Sequence, residues 1–134
     1  MTEKILNKIL FVDDDTDILS IIKYSLDALE GVTVLTSSKG EEGVEIALAE
    51  SPDLIILDVM MPNMDGIAVL KALRLLPNCK TTPIAFLTAK VQKSEIEEFM
   101  RLGVIGVLEK PFDPIGFPDE ILKLWRKSQG ESTY

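Results

Sequence analysis

Residues 9–15 read Ile9-Leu10-Phe11-Val12-Asp13-Asp14-Asp15, four apolar residues without alternation followed by three carboxylates. An apolar run with no polar alternate face suits a strand covered on both sides, as in a parallel sheet. Comparable runs follow at Thr33-Val34-Leu35-Thr36, Leu54-Ile55-Ile56-Leu57, Ile84-Ala85-Phe86-Leu87 and Gly106-Val107-Leu108. The first, third and fourth read as central strands, the weaker second and fifth as edges. Between them the period becomes helical. Ile18, Ile22, Leu26 and Leu29 lie on one helical face, and Gly31 is the expected stop. Ser38-Lys39-Gly40-Glu41 and Ser94-Glu95-Ile96-Glu97 have capping-box spacing, predicting helix starts before Val44, Ala47 and Leu48 and before Ile96, Phe99 and Met100, with Gly103 ending the latter. Asp65 is the expected cap of a helix carrying Val69, Leu70 and Leu73 that stops before Pro77. Pro118 suits the first turn of a last helix bearing Ile121, Leu124 and Trp125. Five βα units in succession predict an α/β fold, a doubly wound five-stranded parallel sheet with right-handed crossovers.

The chain has 134 residues, enough for one domain, expected over residues 1–128 with a frayed tail over 129–134. Its 14 basic and 22 acidic residues leave a net charge of −8, which argues against a nucleic-acid or anionic-membrane partner. There is no histidine, so His-based triads, His-ligated metals and a phosphohistidine within these residues are excluded. The single cysteine, Cys79, allows no internal disulfide and fits a reducing compartment. No apolar run approaches bilayer length and no secretory h-region is evident, so a cytoplasmic location is expected.

In open parallel sheets ligands bind beyond the carboxyl ends of the strands. The residues closing the strands are Asp13-Asp14-Asp15, Asp58, Thr88-Ala89 and Lys110-Pro111. Clustered carboxylates repel one another unless a cation joins them, and an all-oxygen site with open positions suits Mg²⁺, or Mn²⁺, which then accepts phosphate oxygens. Asp58 is a candidate nucleophile toward phosphorus, with Thr88 and Lys110 orienting the phosphoryl oxygens. Each residue also has a plain structural reading. Asp15 or Thr16 could cap a helix, Asp58 could sit in a turn, Thr88 could cap a strand end, and Lys110 could be solvated. None of these explains why all four groups close strands. A calcium loop beginning at Asp13 fails, because Ile18 and Tyr24 stand where it needs Gly and Glu.

The segments Ile9–Asp15, Leu57-Asp58-Val59-Met60-Met61-Pro62-Asn63-Met64-Asp65-Gly66, Leu87-Thr88-Ala89 and Glu109-Lys110-Pro111-Phe112 together resemble the four signatures of response regulator receiver domains, the phosphoacceptor domains of two-component signalling. The resemblance extends over about residues 5–127. It implies a flavodoxin-like (βα)₅ fold with strand order 2-1-3-4-5. It implies that Asp58 accepts a phosphoryl group, that Asp14 ligates Mg²⁺ with Asp13 acting through water, and that the Met60 carbonyl and Asp58 complete the ligands. Thr88 and Lys110 would contact the phosphoryl group, and the Lys110–Pro111 bond would be cis. Met60 and Lys90 would flank the site where the family tunes dephosphorylation. The implied partners are a histidine kinase or histidine phosphotransfer protein acting in trans and a downstream protein target, with the chain a monomer or a phosphorylation-dependent dimer. The implied output face is the fourth helix, fifth strand and fifth helix, including Glu95, Glu98 and Arg101. One departure stands out: Val107 occupies a position, three before the lysine, where the family often has Tyr or Phe. The rival readings are a haloacid dehalogenase-type phosphatase using Asp13 and Asp15, which leaves Asp58 without a role, a flavin-binding module, which three aspartates would repel, and a degenerate receiver acting only as a protein-binding scaffold.

Overall fold

Strands whose residues are apolar on both faces need a layer of helices on each side, and the chain supplies them. The computed structural model describes residues 4–89 and 92–130. In chain order the elements are β1 (Lys8–Val12), α1 (Thr16–Leu26), β2 (Thr33–Ser37), α2 (Gly40–Glu50), β3 (Leu54–Asp58), α3 (Gly66–Arg74), a 3₁₀ turn (Pro77–Cys79), β4 (Ile84–Thr88), α4 (Lys93–Arg101), β5 (Val107–Glu109) and α5 (Phe117–Ser128). All strand pairs are parallel and the sheet order is β2-β1-β3-β4-β5. This is the expected doubly wound α/β sheet, with the weak strands at its edges.

Alternation along each strand divides the core in two. Ile9, Phe11, Leu54, Ile56, Ala85, Leu87 and Leu108 face α1 and α5, where they meet Ile22, Phe117 and Trp125. Leu10, Val12, Ile55, Leu57, Ile84 and Phe86 face the other layer and meet Ala47, Val69, Leu73 and Phe99. At the amino-terminal rim the Asp53 carboxylate brackets the entry to the sheet. Its Oδ2 accepts the N–H groups of Asn7 and Lys8, each at 2.9 Å, while Oδ1 lies 3.7 Å from Lys4 Nζ.

Local signals held at some termini and failed at others. Asp15 caps α1 by accepting from the Asp17 and Ile18 N–H groups, Asp65 caps α3 through the Ala68 N–H, and Pro118 lies in the first turn of α5. The two capping boxes do not form. Ser37, buried at the end of β2, accepts from Lys39 N–H at 3.2 Å, leaving Lys39 to precede α2 without a side-chain cap. Ser94 lies inside α4, which starts one residue earlier behind Gln92, so its hydroxyl is not at the capping position. Helix α1 stops at Leu26, before the expected end, and Leu29 reaches the core from the turns that lead to Gly31 at φ 77°. Strands β2 to β5 each run one residue further than their apolar runs, ending on Ser37, Asp58, Thr88 and Glu109. The tail expected over 129–134 falls outside the described residues from 131 onward.

The C-terminus of α2 is closed from a distance. Asn78 Nδ2 lies 3.0 Å from Ala47 O, 3.2 Å from Leu48 O and 2.8 Å from Ser51 Oγ, so one amide reaches the last-turn carbonyls, of which Ala47 O also accepts the Ser51 N–H. Replacing Asn78 by Ala should lower the unfolding free energy by about 1 kcal/mol, and Asn78→Asp by more, because an anion then faces the negative end of a helix. Urea titrations of the two variants and the parent chain check both the size and the order.

Candidate functional site

The ladder of the sheet continues one residue past the strands and fixes the groups at their carboxyl ends. Asp13 N–H donates to Ser37 O at 3.0 Å, Val59 N–H to Leu87 O at 3.2 Å, and Lys110 N–H to Thr88 O at 2.9 Å. Asp58 and Thr88 are strand residues themselves, with Leu87 opposite Asp58 and Glu109 opposite Thr88. A side chain held by a ladder is held more rigidly than one on a free loop. Below β3, the α3 start presses close. A Cβ on Gly66 would meet the Asp58 carbonyl oxygen and stand 2.9 Å from Val59 Cα, so only glycine fits there. The Gly66 N–H closes the loop by donating to Val59 O at 3.1 Å. The Lys110–Pro111 peptide is cis, and Phe112 beyond it stacks on Phe117 with ring centroids 4.2 Å apart.

Four of the expected site residues converge. Carboxylate oxygens of Asp13, Asp14 and Asp58 all lie within 4.8 Å of one another. Lys110 Nζ reaches back to 2.7 Å from Asp13 Oδ2 and 3.5 Å from Asp58 Oδ2. Asp13 and Asp58 are buried while Asp14 is exposed, so the cluster has a closed floor and one open side. The remaining carboxylate oxygens are oriented by the backbone, Asp13 Oδ1 accepting from Asp15 N–H at 2.9 Å and Asp58 Oδ1 from Met60 N–H at 3.2 Å. Asp13 Oδ2 is buried without an aligned hydrogen bond; the nearby Lys110 charge is its compensation. Thr88 closes β4 and is 4% exposed, while Met60 is 76% exposed. Lys90, the other expected flanking residue, lies outside the described residues.

The electrostatics are those of an acidic site with too little counter-charge. Burial pushes the Asp58 carboxyl up from 3.8, the Asp13 charge adds to the rise, Lys110 and the Met60 N–H oppose it, and a hydrogen bond with Asp14 adds a little more, leaving it at about 7. For Lys110, burial acts downward but is outweighed by its contact with Asp13 and by the charges of Asp13 and Asp58, so its ammonium titrates above 10.5. A divalent cation meets this need. A buried carboxylate oxygen without a hydrogen bond, three oxygen donors around one point and an open side are what a hard cation requires.

The phosphatase alternative finds no support in this geometry. Asp15, its expected acid, is turned to the start of α1 as a cap, and Asp58, which it leaves idle, sits beside Asp13 and Lys110. Sequence reasoning had no signal for the alternation of the site itself. Asp58 continues the Leu54 and Ile56 series and Asp13 the Ile9 and Phe11 series, both toward α1 and α5, whereas Thr88 continues the Ile84 and Phe86 series toward the opposite layer.

Residues 9–122 match the family model described as the response regulator receiver domain. The alkaline phosphatase synthesis transcriptional regulatory protein PhoP of Bacillus subtilis is 39% identical over 122 residues, covering 91% of this chain and 50% of its own length. The transcriptional regulatory protein CpxR of Escherichia coli is 38% identical over 123 residues, covering 92% of this chain and 51% of its own. The chain thus spans about half the length of these curated relatives. Among solved structures, the chemotaxis protein CheY4 of Vibrio cholerae superposes with a TM-score of 0.81 at 32% identity, covering 90% of this chain and 99% of that one.

The raised Asp58 value fixes a pH dependence. Between pH 3.8 and about 7 the folded chain holds a proton that the unfolded chain has released, so Asp58 makes stability fall as pH rises through this window. The Lys110 contribution is present throughout and is lost only at alkaline pH, as its raised folded value is passed. In metal-free buffer Asp58→Asn should therefore match the parent chain near pH 4 and be more stable at pH 7.5, by up to roughly 4 kcal/mol. Thermal melts of both proteins across this range test the divergence.

Proposed function

The chain belongs to the response regulator receiver domain family, and from that membership we propose that Asp58 accepts a phosphoryl group and that the resulting change is read by a protein target. Receiver domains are phosphoacceptors rather than classical enzymes, so the chemistry here amounts to assisting the chain's own modification. The observation that carries the reading is the convergence of Asp13, Asp14 and Asp58 oxygens within 4.8 Å, with the Lys110 ammonium reaching in among them.

An Asp58 carboxylate oxygen attacks the phosphorus of the donor. A new O–P bond forms to the aspartate, the donor's P–N or P–O bond breaks, and the leaving imidazole or acylate departs with the bonding electron pair. The donor is a phosphohistidine of a histidine kinase or phosphotransfer protein, since this chain contains no histidine of its own, or a small acyl phosphate. Lys110 pairs with the negative charge brought in on the phosphoryl oxygens, and the Thr88 hydroxyl donates to one of them. Asp13, Asp14, Asp58 and the Met60 carbonyl would hold Mg²⁺, with Mn²⁺ a substitute. When bound, that ion supplies the positive charge that lets an anionic carboxylate approach an anionic donor. A nearby cation also favours the ionised form of Asp58, whose carboxyl burial and the Asp13 charge otherwise push upward. Loss of the phosphoryl group to water reverses the modification at the same residues.

Residues 1–128 form the signalling module on this reading, in the cytoplasm, and no helix among the described residues is long and apolar enough to cross a membrane. Signal output runs through α4, β5 and α5, with Glu95, Glu98 and Arg101 on its surface. The strong negative charge disfavours direct contact of this module with nucleic acid. On this reading the chain is a monomer or a phosphorylation-dependent dimer through the same face.

Incubation with acetyl phosphate and Mg²⁺ should add one phosphoryl group, stable to acid and labile to hydroxylamine. Chelation of the metal and Asp58→Asn should each abolish it, and Lys110→Ala should slow it. Intact-mass measurement follows all four conditions; labelling retained in Asp58→Asn would assign the nucleophile elsewhere.

A further inference from the structure

We propose that the cleft beside Asp14 receives the acyl group of a small acyl phosphate, so that donors with an aliphatic chain longer than acetyl label the chain faster than acetyl phosphate does; the proposal rests on the phosphoacceptor reading of Asp58. The starting point is the direction in which the carboxylate cluster opens. Asp13 and Asp58 are buried and Asp14 is exposed, so a donor reaches Asp58 over the Asp14 side. Asp14 also lines a cleft of about 370 Å³, within the range of small-ligand pockets. Site and cleft are thus continuous through one residue.

Two segments wall the cleft. One is the start of α2 around Gly40, the other the loop after β3 with Met61, Pro62 and Met64. Gly40 lets them approach: a Cβ there would stand 3.2 Å from Met64 Cβ and 2.8 Å from Val69 Cγ2, so a larger residue would crowd the junction. The loop is held in shape by the Met64 N–H, which donates to Pro62 O at 2.8 Å, and by Asn63 in the left-handed region at φ 68°. Met61 and Met64 are partly buried against the core layer of α2 and α3, and unbranched thioether side chains adapt readily to an apolar guest. The charged lining residues are Asp14 and Glu41 against Lys39, which disfavours a second anionic group in the cleft. A neutral saturated acyl chain suits it, and an acetyl methyl fills only a small part of the space.

In the transfer an Asp58 oxygen forms the new O–P bond. The P–O bond to the acyl oxygen breaks, and its electron pair leaves with the carboxylate, so no proton and no oxidant is required. The phosphoryl group stays beside Lys110 while the acyl chain lies toward Met61 and Met64. That chain takes no part in bond making and contributes by binding alone. Acetate and butyrate are carboxylates of nearly equal basicity, so the two donors are matched in leaving ability and a difference between them reads the cleft.

The test uses the full chain with Mg²⁺ and follows labelling by intact mass over a range of acetyl phosphate and butyryl phosphate concentrations. Burial of two further methylenes should raise the second-order rate constant about tenfold for butyryl phosphate. Met64→Gln, similar in volume but polar, should bring the ratio close to one and leave acetyl phosphate labelling unchanged. Met61→Gln provides the same reading should Met64→Gln unfold. A phosphonate analogue of butyryl phosphate, with methylene in place of the bridging oxygen, should shift the backbone amide resonances of Gly40 and Met64. Equal or lower rate constants for butyryl phosphate overturn the proposal, as do a preference that survives both Met substitutions and amide shifts confined to residues outside the cleft; each leaves Asp58 as phosphoacceptor. Labelling by neither donor sinks the phosphoacceptor reading, and the proposal with it.

Discussion

The Lys110 ammonium between Asp13 and Asp58 is the contact on which the rest of the site depends. Two buried carboxylates at the ends of neighbouring strands repel each other at short range in a poorly screened interior. Burial, with the Asp13 charge adding to it, keeps the Asp58 carboxyl raised to about 7 in spite of that one cation, and Asp13 Oδ2 has charge compensation but no hydrogen bond. The fold makes this arrangement tolerable by spreading its cost over a large core. Fully buried β1, β3 and β4 residues on both faces hold the strand ends in register, and the ladder extends just far enough to fix Asp13, Val59 and Lys110. The site is therefore under-neutralised by construction, which leaves it receptive to a further positive charge and then to an anion.

Most of the fold was legible because it follows from periodicity. Runs such as Ile9–Val12 and Leu54–Leu57 are apolar on both faces, and the helices between them carry one apolar face each. The closing residues Asp58 and Thr88 were read as strand ends although the apolar runs stop one residue earlier. The apolar pattern ends at Leu57 and Leu87, yet the strands end at Asp58 and Thr88, because the site residues are ladder members whose polarity serves chemistry rather than burial. Helix starts were less legible. Asp15 and Asp65 cap as their spacing predicts, but Ser37, one residue before the predicted cap, takes the backbone N–H of Lys39, and Ser94 is already helical. The choice among nearby hydroxyls depends on where the preceding strand releases the chain, and no local pattern encodes that.

The candidate site residues were picked out by their position at strand ends, and Asp13, Asp14, Asp58 and Lys110 lie together there. What sequence did not convey is the sidedness. Asp58 and Thr88 lie at adjacent strand ends but belong to opposite layers of the core, so the carboxylate cluster is continuous with α1 and α5 while the hydroxyl is continuous with α4. A twofold alternation read along one strand gives no relation between two strands until their register is known. With Leu87 opposite Asp58, Thr88 is displaced by one residue, and that single step separates the two roles.

The Asp53 bracket at the amino-terminal rim has a mechanical consequence. It clasps the backbone of Asn7 and Lys8 where the chain enters β1, a strand flanked on both sides. Tension applied near residue 4 would load this clasp and shear the parallel ladder of β1 as a whole, instead of peeling it bond by bond. The far rim, where the carboxylates gather, is thereby insulated from tugging at the chain's start.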